Sequence, residues 1–169
     1  LNSRWAEVNT LWRLGLVQQA WDTWLSLRDP RDPLPPEEQL VEGRLRLNVD
    51  DPWRGLDQLW RLNVRWVPPS CQQRRQLHQS QNPVFFRDAI QSASARHGVN
   101  PALLLAVAKQ ESRFSPGVRS IAGAIGVMQL MPATASSIAG EPLDETELMQ
   151  PSTNIELGAA YMRSLLQLW

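Results

Sequence analysis

Gly98-Val-Asn-Pro-Ala-Leu-Leu-Leu-Ala-Val-Ala-Lys-Gln-Glu111-Ser112-Arg-Phe, followed by Ser120-Ile-Ala-Gly123-Ala-Ile-Gly126-Val-Met128-Gln129-Leu-Met131-Pro132-Ala-Thr134-Ala, carries the strongest structural signal in this chain. Asn100 places a side-chain oxygen where it can cap a helix, and Pro101 fits the first helical position, where its missing N–H is not needed. Leu104, Val107, Ala108 and Glu111 recur at the three- and four-residue spacing that shares one helix face, which predicts an apolar stripe ending on a carboxylate. There Glu111 is expected to be partly desolvated, with a raised pKa that suits a proton donor working near neutral pH.

Between Ala89 and Gly140 Glu111 is the only acidic residue, while Arg96, Lys109, Arg113 and Arg119 give the stretch a positive balance. An ordinary glycosidase flanks the scissile bond with two carboxylates, so either the second comes from elsewhere or the substrate supplies the nucleophile. An isolated Glu at a helix end is ordinarily just solvated; the segment that follows singles this one out. Gly123 and Gly126 permit backbone conformations that other residues resist, and Met128 to Met131 place adaptable side chains and an amide beside them. Gln129 is expected in a groove, donating to and accepting from sugar hydroxyls and N-acetyl groups, with Met128 or Met131 packing on a sugar's apolar face. Alone, the same residues also fit an ordinary buried turn.

In these residues the chain resembles the soluble lytic transglycosylases, whose catalytic domain is like goose-type lysozyme. Gly98-Val-Asn-Pro-Ala-Leu-Leu, Gln110-Glu-Ser-Arg-Phe-Ser-Pro, Ser120 with Gly123 and Gly126, Met128-Gln-Leu-Met-Pro-Ala-Thr-Ala, and Asn154-Ile-Glu-Leu-Gly-Ala-Ala-Tyr161-Met-Arg-Ser-Leu-Leu occur in the family's order and spacing. Pro83-Val-Phe-Phe-Arg-Asp-Ala-Ile looks like its lead-in helix, so the resemblance runs from about Asn82 to Trp169. It implies cleavage of the β-1,4 bond between N-acetylmuramic acid and N-acetylglucosamine in peptidoglycan, without water as nucleophile, giving a 1,6-anhydro end. Glu111 matches the catalytic glutamate, first acid to the leaving oxygen and then base to the C6 hydroxyl that closes the ring. Ser120, Gln129 and Met131 match positions lining the glycan subsites, with Met128 among them. Tyr161 is a further substrate-side candidate, although packing is its simpler role.

The family continues past the helix of Tyr161 to an Ala-Tyr-Asn motif whose tyrosine reaches the catalytic glutamate. This chain has a single tyrosine, at the earlier position, begins at Leu1 and ends at Trp169, so the resemblance implies a piece of a longer protein with the end of the catalytic domain missing.

The rest of the composition excludes more than it suggests. The formal charge is zero, and the cationic residues are scattered arginines with Lys109 the one lysine, so no basic block points to nucleic acid. No apolar run has the length of a membrane span. Cys71 cannot form an internal disulfide and, with His78 and His97, lacks metal-ligand spacing, so neither metal nor cofactor is expected. By resemblance the location is the bacterial cell envelope, in the periplasm, and the partner is the glycan strand; oligomeric state is not legible.

Upstream the pattern changes. Seven of the eight tryptophans lie within the first 66 residues, in stretches that read as helices over Ser3–Leu14, Leu16–Arg28, Pro36–Leu47 and Asp51–Asn63. Arg13-Leu14-Gly15 recurs 33 residues on as Arg46-Leu47-Asn48, a period suited to tetratricopeptide-like repeats. Trp5, Trp12, Trp21, Trp24, Trp53 and Trp60 fall on helix stripes, which favours core packing over sugar stacking. The expected architecture is therefore mainly α: a helical-repeat scaffold over 1–69, a linker or connecting helix over 70–81, and an incomplete lysozyme-like domain with little β over 82–169. A water-using goose-type lysozyme and a non-catalytic glycan-binding fragment remain alternatives on the sequence.

Overall fold

Regular structure among the described residues is helical, with β pairing limited to two isolated bridges, Arg119 with Ile125 and Ile125 with Leu130. The computed structural model describes residues 4–29, 31–49 and 51–168. Ser3, expected to begin the first helix, and Trp169 lie outside them. The chain divides into two compact units, Leu1–Pro83 and Val84–Trp169.

In the first unit the four expected helices form as α1 (Arg4–Arg13), α2 (Val17–Leu27), α3 (Pro36–Arg46) and α4 (Pro52–Arg65), followed by α5 (Cys71–Gln81). The α1–α2 hairpin turns at Gly15, whose φ of 76° lies in the left-handed region that glycine enters without a side-chain clash. Val8, Ala20, Trp24 and Leu45 form a buried cluster, with Trp5, Leu11, Trp12 and Trp21 packed around it. Trp5 stacks on Trp24 with ring centroids 4.2 Å apart. Arg44 and Arg46 lie over the rings of Trp12 and Trp21, at 5.2 and 5.1 Å, so these two faces are occupied by guanidinium groups. Trp53 departs from the expected core role: it is 42% exposed in the first turn of α4, while Leu56, Leu59 and Leu62 take the buried face.

Two devices fix the second hairpin. A Cβ at Gly43 would come within 2.7 Å of Leu59 Cγ, and one at Gly55 within 2.9 Å of the Gly43 carbonyl oxygen, so α3 and α4 touch where neither carries a side chain. Glu42, 3% exposed, gathers donors from three segments. Its Oε2 accepts from Trp24 Nε1 at 3.0 Å and pairs with Arg28 at 3.1 Å. Its Oε1 accepts from Arg46 Nε and Nη2 at 3.2 and 3.0 Å, and Arg46 reaches on to Asp51 at 3.0 Å. The stretch read as linker or connecting helix is α5: Ser70 caps it by accepting from the Gln73 N–H, and buried Gln81 donates to the Leu59 carbonyl at 2.8 Å.

The second unit holds α6 (Arg87–His97), α7 (Pro101–Ser112), α8 (Pro132–Ala139), α9 (Glu145–Met149) and α10 (Pro151–Leu166). Gly98, at φ 64°, ends α6; Asn100 accepts from the Ala102 N–H at 2.9 Å to start α7, the cap that the sequence leads one to expect. The core joins Ile90, Leu104, Ala108, Phe114, Ile125, Val127, Leu148 and Ile155. The Glu156 carboxylate on α10 ties that helix to the end of α6 through His97 at 2.7 Å and Arg96 at 3.0 Å.

Removing Glu42 takes the shared acceptor from the Arg28 guanidinium and the Trp24 indole N–H around a buried hole and leaves Arg46 with Asp51 alone of the two carboxylates. Because Arg28 and Arg46 keep 25% and 18% exposure, the cost falls at the low end of that for breaking a buried pair. Glu42→Ala is expected to lower the unfolding free energy by about 3 kcal/mol, read from urea denaturation followed by tryptophan fluorescence.

Candidate active site

The buried face of α7 runs through Leu104, Ala108 and Ser112, a four-residue ladder that places Glu111 at its border. This corrects the expected environment of the carboxylate: Glu111 is exposed, not partly desolvated. Ser112 takes the covered position at that end of the helix, its hydroxyl donating to the carbonyls of Ala108 at 3.1 Å and Val127 at 2.7 Å. Among the described residues no cation or hydrogen-bond donor engages the Glu111 carboxylate, which leaves both oxygens open to a ligand. On the same helix, partial burial lowers the Lys109 pKa below its ordinary value.

Immediately beyond Ser112 the backbone turns left-handed at two successive non-glycine residues, Arg113 (φ 50°) and Phe114 (φ 62°). Each such residue costs on the order of 1 kcal/mol. Burial of Phe114, 1% exposed and with its ring centroid 5.3 Å from that of Phe85, offsets the strain and stops the helix one residue after Glu111 and Ser112 have been placed.

Residues 118–130 then fold into a compact double turn. Ser120 and Ala124 pair through Ser120 N–H to Ala124 O at 2.9 Å, and Ile125 and Leu130 exchange backbone bonds at 2.9 and 3.0 Å. Gly123 and Gly126 sit at φ 93° and 82°, and Gln129 at φ 50°.

The turn holds three of the six candidate residues, Ser120, Met128 and Gln129, with Met131 next after it as the N-cap of α8, and each has a different situation. Ser120, half-buried, accepts the Ala124 N–H on its hydroxyl oxygen at 2.9 Å. Gln129 folds its amide back onto the loop, Nε2 donating to the carbonyls of Val118 at 3.2 Å and Gly126 at 3.0 Å. The amide nitrogen expected to face a groove thus braces the loop. Met128 is 5% exposed and fills the space that Gly158 leaves on α10, whereas Met131 is 43% exposed. Tyr161 is 38% exposed on α10, where core packing was its simpler expected role. No hydrogen bond among the described residues joins it to Glu111. The Ser112–Val127 bond brings Glu111 and the turn together.

Asn154 is the residue that sequence reasoning quoted without assigning a role. It is 0% exposed on α10, accepts from the Met128 N–H at 2.6 Å, and donates to the carbonyls of Ile125 at 3.0 Å and Leu148 at 2.9 Å. Gly126 fits against it because a Cβ there would lie 2.5 Å from Asn154 Nδ2. Its signal was visible as an amide within an otherwise apolar helix face, which burial permits only when every polar atom is paired. Among the described residues no group of three or more His, Cys, Asp or Glu side chains is arranged to hold a metal ion.

Known proteins resemble this chain in sequence and in fold. Residues 88–169 match the family described as the transglycosylase SLT domain. The soluble lytic murein transglycosylase of Escherichia coli K12 is 33% identical over 91 residues, covering 50% of this chain and 14% of that protein. The membrane-bound lytic murein transglycosylase C of Sodalis glossinidius is 30% identical over 135 residues, covering 76% of this chain and 34% of that protein. The chain thus spans about a third or less of these relatives. In fold it resembles an inactive mutant of the lytic transglycosylase Slt from Pseudomonas aeruginosa, with TM-score 0.67 and 24% identity over 95% of this chain and 25% of that one. The 70 kDa soluble lytic transglycosylase SLT70 from Escherichia coli gives TM-score 0.65 and 23% identity over 98% of this chain and 25% of that one. Residues 88–169 thus form a transglycosylase SLT domain, and the relatives that this chain resembles are lytic transglycosylases.

Proposed function

We propose that this chain carries the reacting centre of a peptidoglycan lytic transglycosylase of the bacterial cell envelope. It would cleave the β-1,4 bond between N-acetylmuramic acid and N-acetylglucosamine without water and leave a 1,6-anhydro end. The observation that carries the reading is the placement of one exposed carboxylate, Glu111, beside a rigid turn, joined to it by the Ser112–Val127 bond and with no second acid between Ala89 and Gly140. One carboxylate serves both halves of such a reaction. It protonates the leaving oxygen as the glycosidic bond breaks, the substrate's N-acetyl group stabilises C1, and the resulting carboxylate takes the C6 hydroxyl proton as that oxygen closes on C1. Hydrolysis by the usual carboxylate pair would need a second acid, and the stretch from Ala89 to Gly140 holds only Glu111. A glycan strand lying along the turn would itself exclude the water that surrounds Glu111 in the free protein.

In this reading Met131, the Gln129 oxygen and the Ser120 hydroxyl meet the sugars, Tyr161 lies at the margin, and Met128 supports the groove from beneath. Residues 1–69 act as a helical-repeat scaffold and 70–81 as the helix that leads toward the catalytic part at 82–169. No helix among the described residues is long and apolar enough to cross a membrane.

Glu111→Gln keeps size and removes the transferable proton. Cleavage of purified peptidoglycan is expected to fall by about 10²–10⁴-fold with an unchanged melting temperature, since the side chain is exposed. Mass spectrometry of the muropeptides distinguishes anhydro ends, which support the reading, from reducing ends, which would mark a water-using lysozyme. Near-wild-type turnover would remove Glu111 from the chemistry. For Gln129→Ala the two loop hydrogen bonds are lost together, and a drop in stability of roughly 1–3 kcal/mol is expected. An unchanged urea midpoint would show that the brace contributes nothing.

A further inference from the structure

We infer that Asn154 is a positioning residue for catalysis: from the far side of the double turn it sets where the glycan-binding residues stand relative to Glu111. The inference rests on the proposed transglycosylase reading. All three hydrogen bonds of the buried amide leave its own helix, two of them to the turn, at Ile125 O and Met128 N, and the third to Leu148 O in α9. The internal bonds of residues 118–130 fix the shape of the turn, whereas its place in the unit depends on anchors from outside. Ser112 on α7 holds Val127, and Asn154 on α10 holds the residues on either side of it, Ile125 and Met128.

A single line of short contacts therefore runs from Glu111 through Ser112, Val127 and Met128 to Asn154. Gln129 and Met131, which face the sugar in the proposed reading, follow directly on Met128. Gly126 and Gly158 let the turn approach α10 closely enough for this amide to reach, since a Cβ at either would fall within 2.7 Å of its neighbour. If Asn154 lets go, the turn keeps its own hydrogen bonds but not its distance from the carboxylate. A shift of the order of 1 Å in such a distance costs up to about 10²-fold in rate. The number of sugar contacts stays the same, so the loss falls on kcat more than on KM.

Asp in place of Asn154 separates positioning from mere stability. When ionised it still accepts from the Met128 N–H but faces the Ile125 and Leu148 carbonyls with negative charge. When protonated it donates to one of them. The ratio of N154D to wild-type kcat should therefore rise as the pH is lowered.

The test uses the full-length protein, a soluble glycan of defined length, and temperatures at which circular dichroism shows every variant folded. N154D is expected to lose about 10–10²-fold in kcat at neutral pH, with KM changed less than threefold and kcat partly recovered in acid. Ile90→Ala, a cavity variant in the buried face of α6, should lose stability while keeping kcat. If N154D does not fold, N154S, which keeps one hydroxyl, is expected to show the same split. An active wild type whose Asn154 variants match it in kcat at every pH, or fall no further than I90A, would overturn the positioning role alone. A wild type that releases no anhydro ends would overturn the reading on which it rests.

Discussion

Irregular backbone must find its hydrogen bonds somewhere, and in residues 118–130 that requirement shapes the whole catalytic unit. A helix satisfies its own amides and carbonyls; a double turn with three residues at positive φ satisfies only some of them. The remainder are met by side chains reaching in from three directions: Ser112 from α7, Asn154 from α10, and Gln129 from within. Each of these side chains exchanges its own need for a partner against that of the turn, so the cost of burying one is removed by the other. The positions of α7 and α10 around the turn follow from this mutual dependence, and the location of Glu111 follows from that of α7.

The first unit solves a simpler problem by coarser means. Its helices need only stay in register, and a buried carboxylate shared among Trp24, Arg28 and Arg46 does this by rewarding a single alignment of α2 on α3. The bare crossing of Gly43 and Gly55 then brings α4 to a fixed depth. Hydrophobic packing could be met in several registers; directional bonds in a dry interior select one.

The legible parts of the sequence were those governed by local rules. Asn100 and Pro101 announced a helix start, and the upstream apolar spacing placed four helices to within a residue or two. The motifs around Glu111 led to the family. What stayed hidden depended on residues far apart in the chain. The spacing put Glu111 at the end of the apolar stripe and partly desolvated, but phase does not say what covers that end, and here Ser112 is buried while Glu111 is exposed. Gln129 had the right chemistry for a groove, yet two carbonyls within its own loop were nearer partners than any sugar. Asn154 acts across 26 and 29 residues, a separation at which no periodicity records a contact.

The paired left-handed residues Arg113 and Phe114 carry a consequence for how this unit can vary in length. With Asn100 capping one end of α7 and Phe114 buried at the other, the helix has no free end into which an extra residue could be absorbed. An insertion between them would rotate everything downstream by about 100° about the axis, turning Glu111 away from the turn and pulling Ser112 off Val127. Length change is thus confined to segments such as the exposed connection around Gly140 to Pro142, where α8 has ended and α9 has yet to be capped by Asp144. The spacing from Asn100 to Phe114 behaves as a fixed ruler.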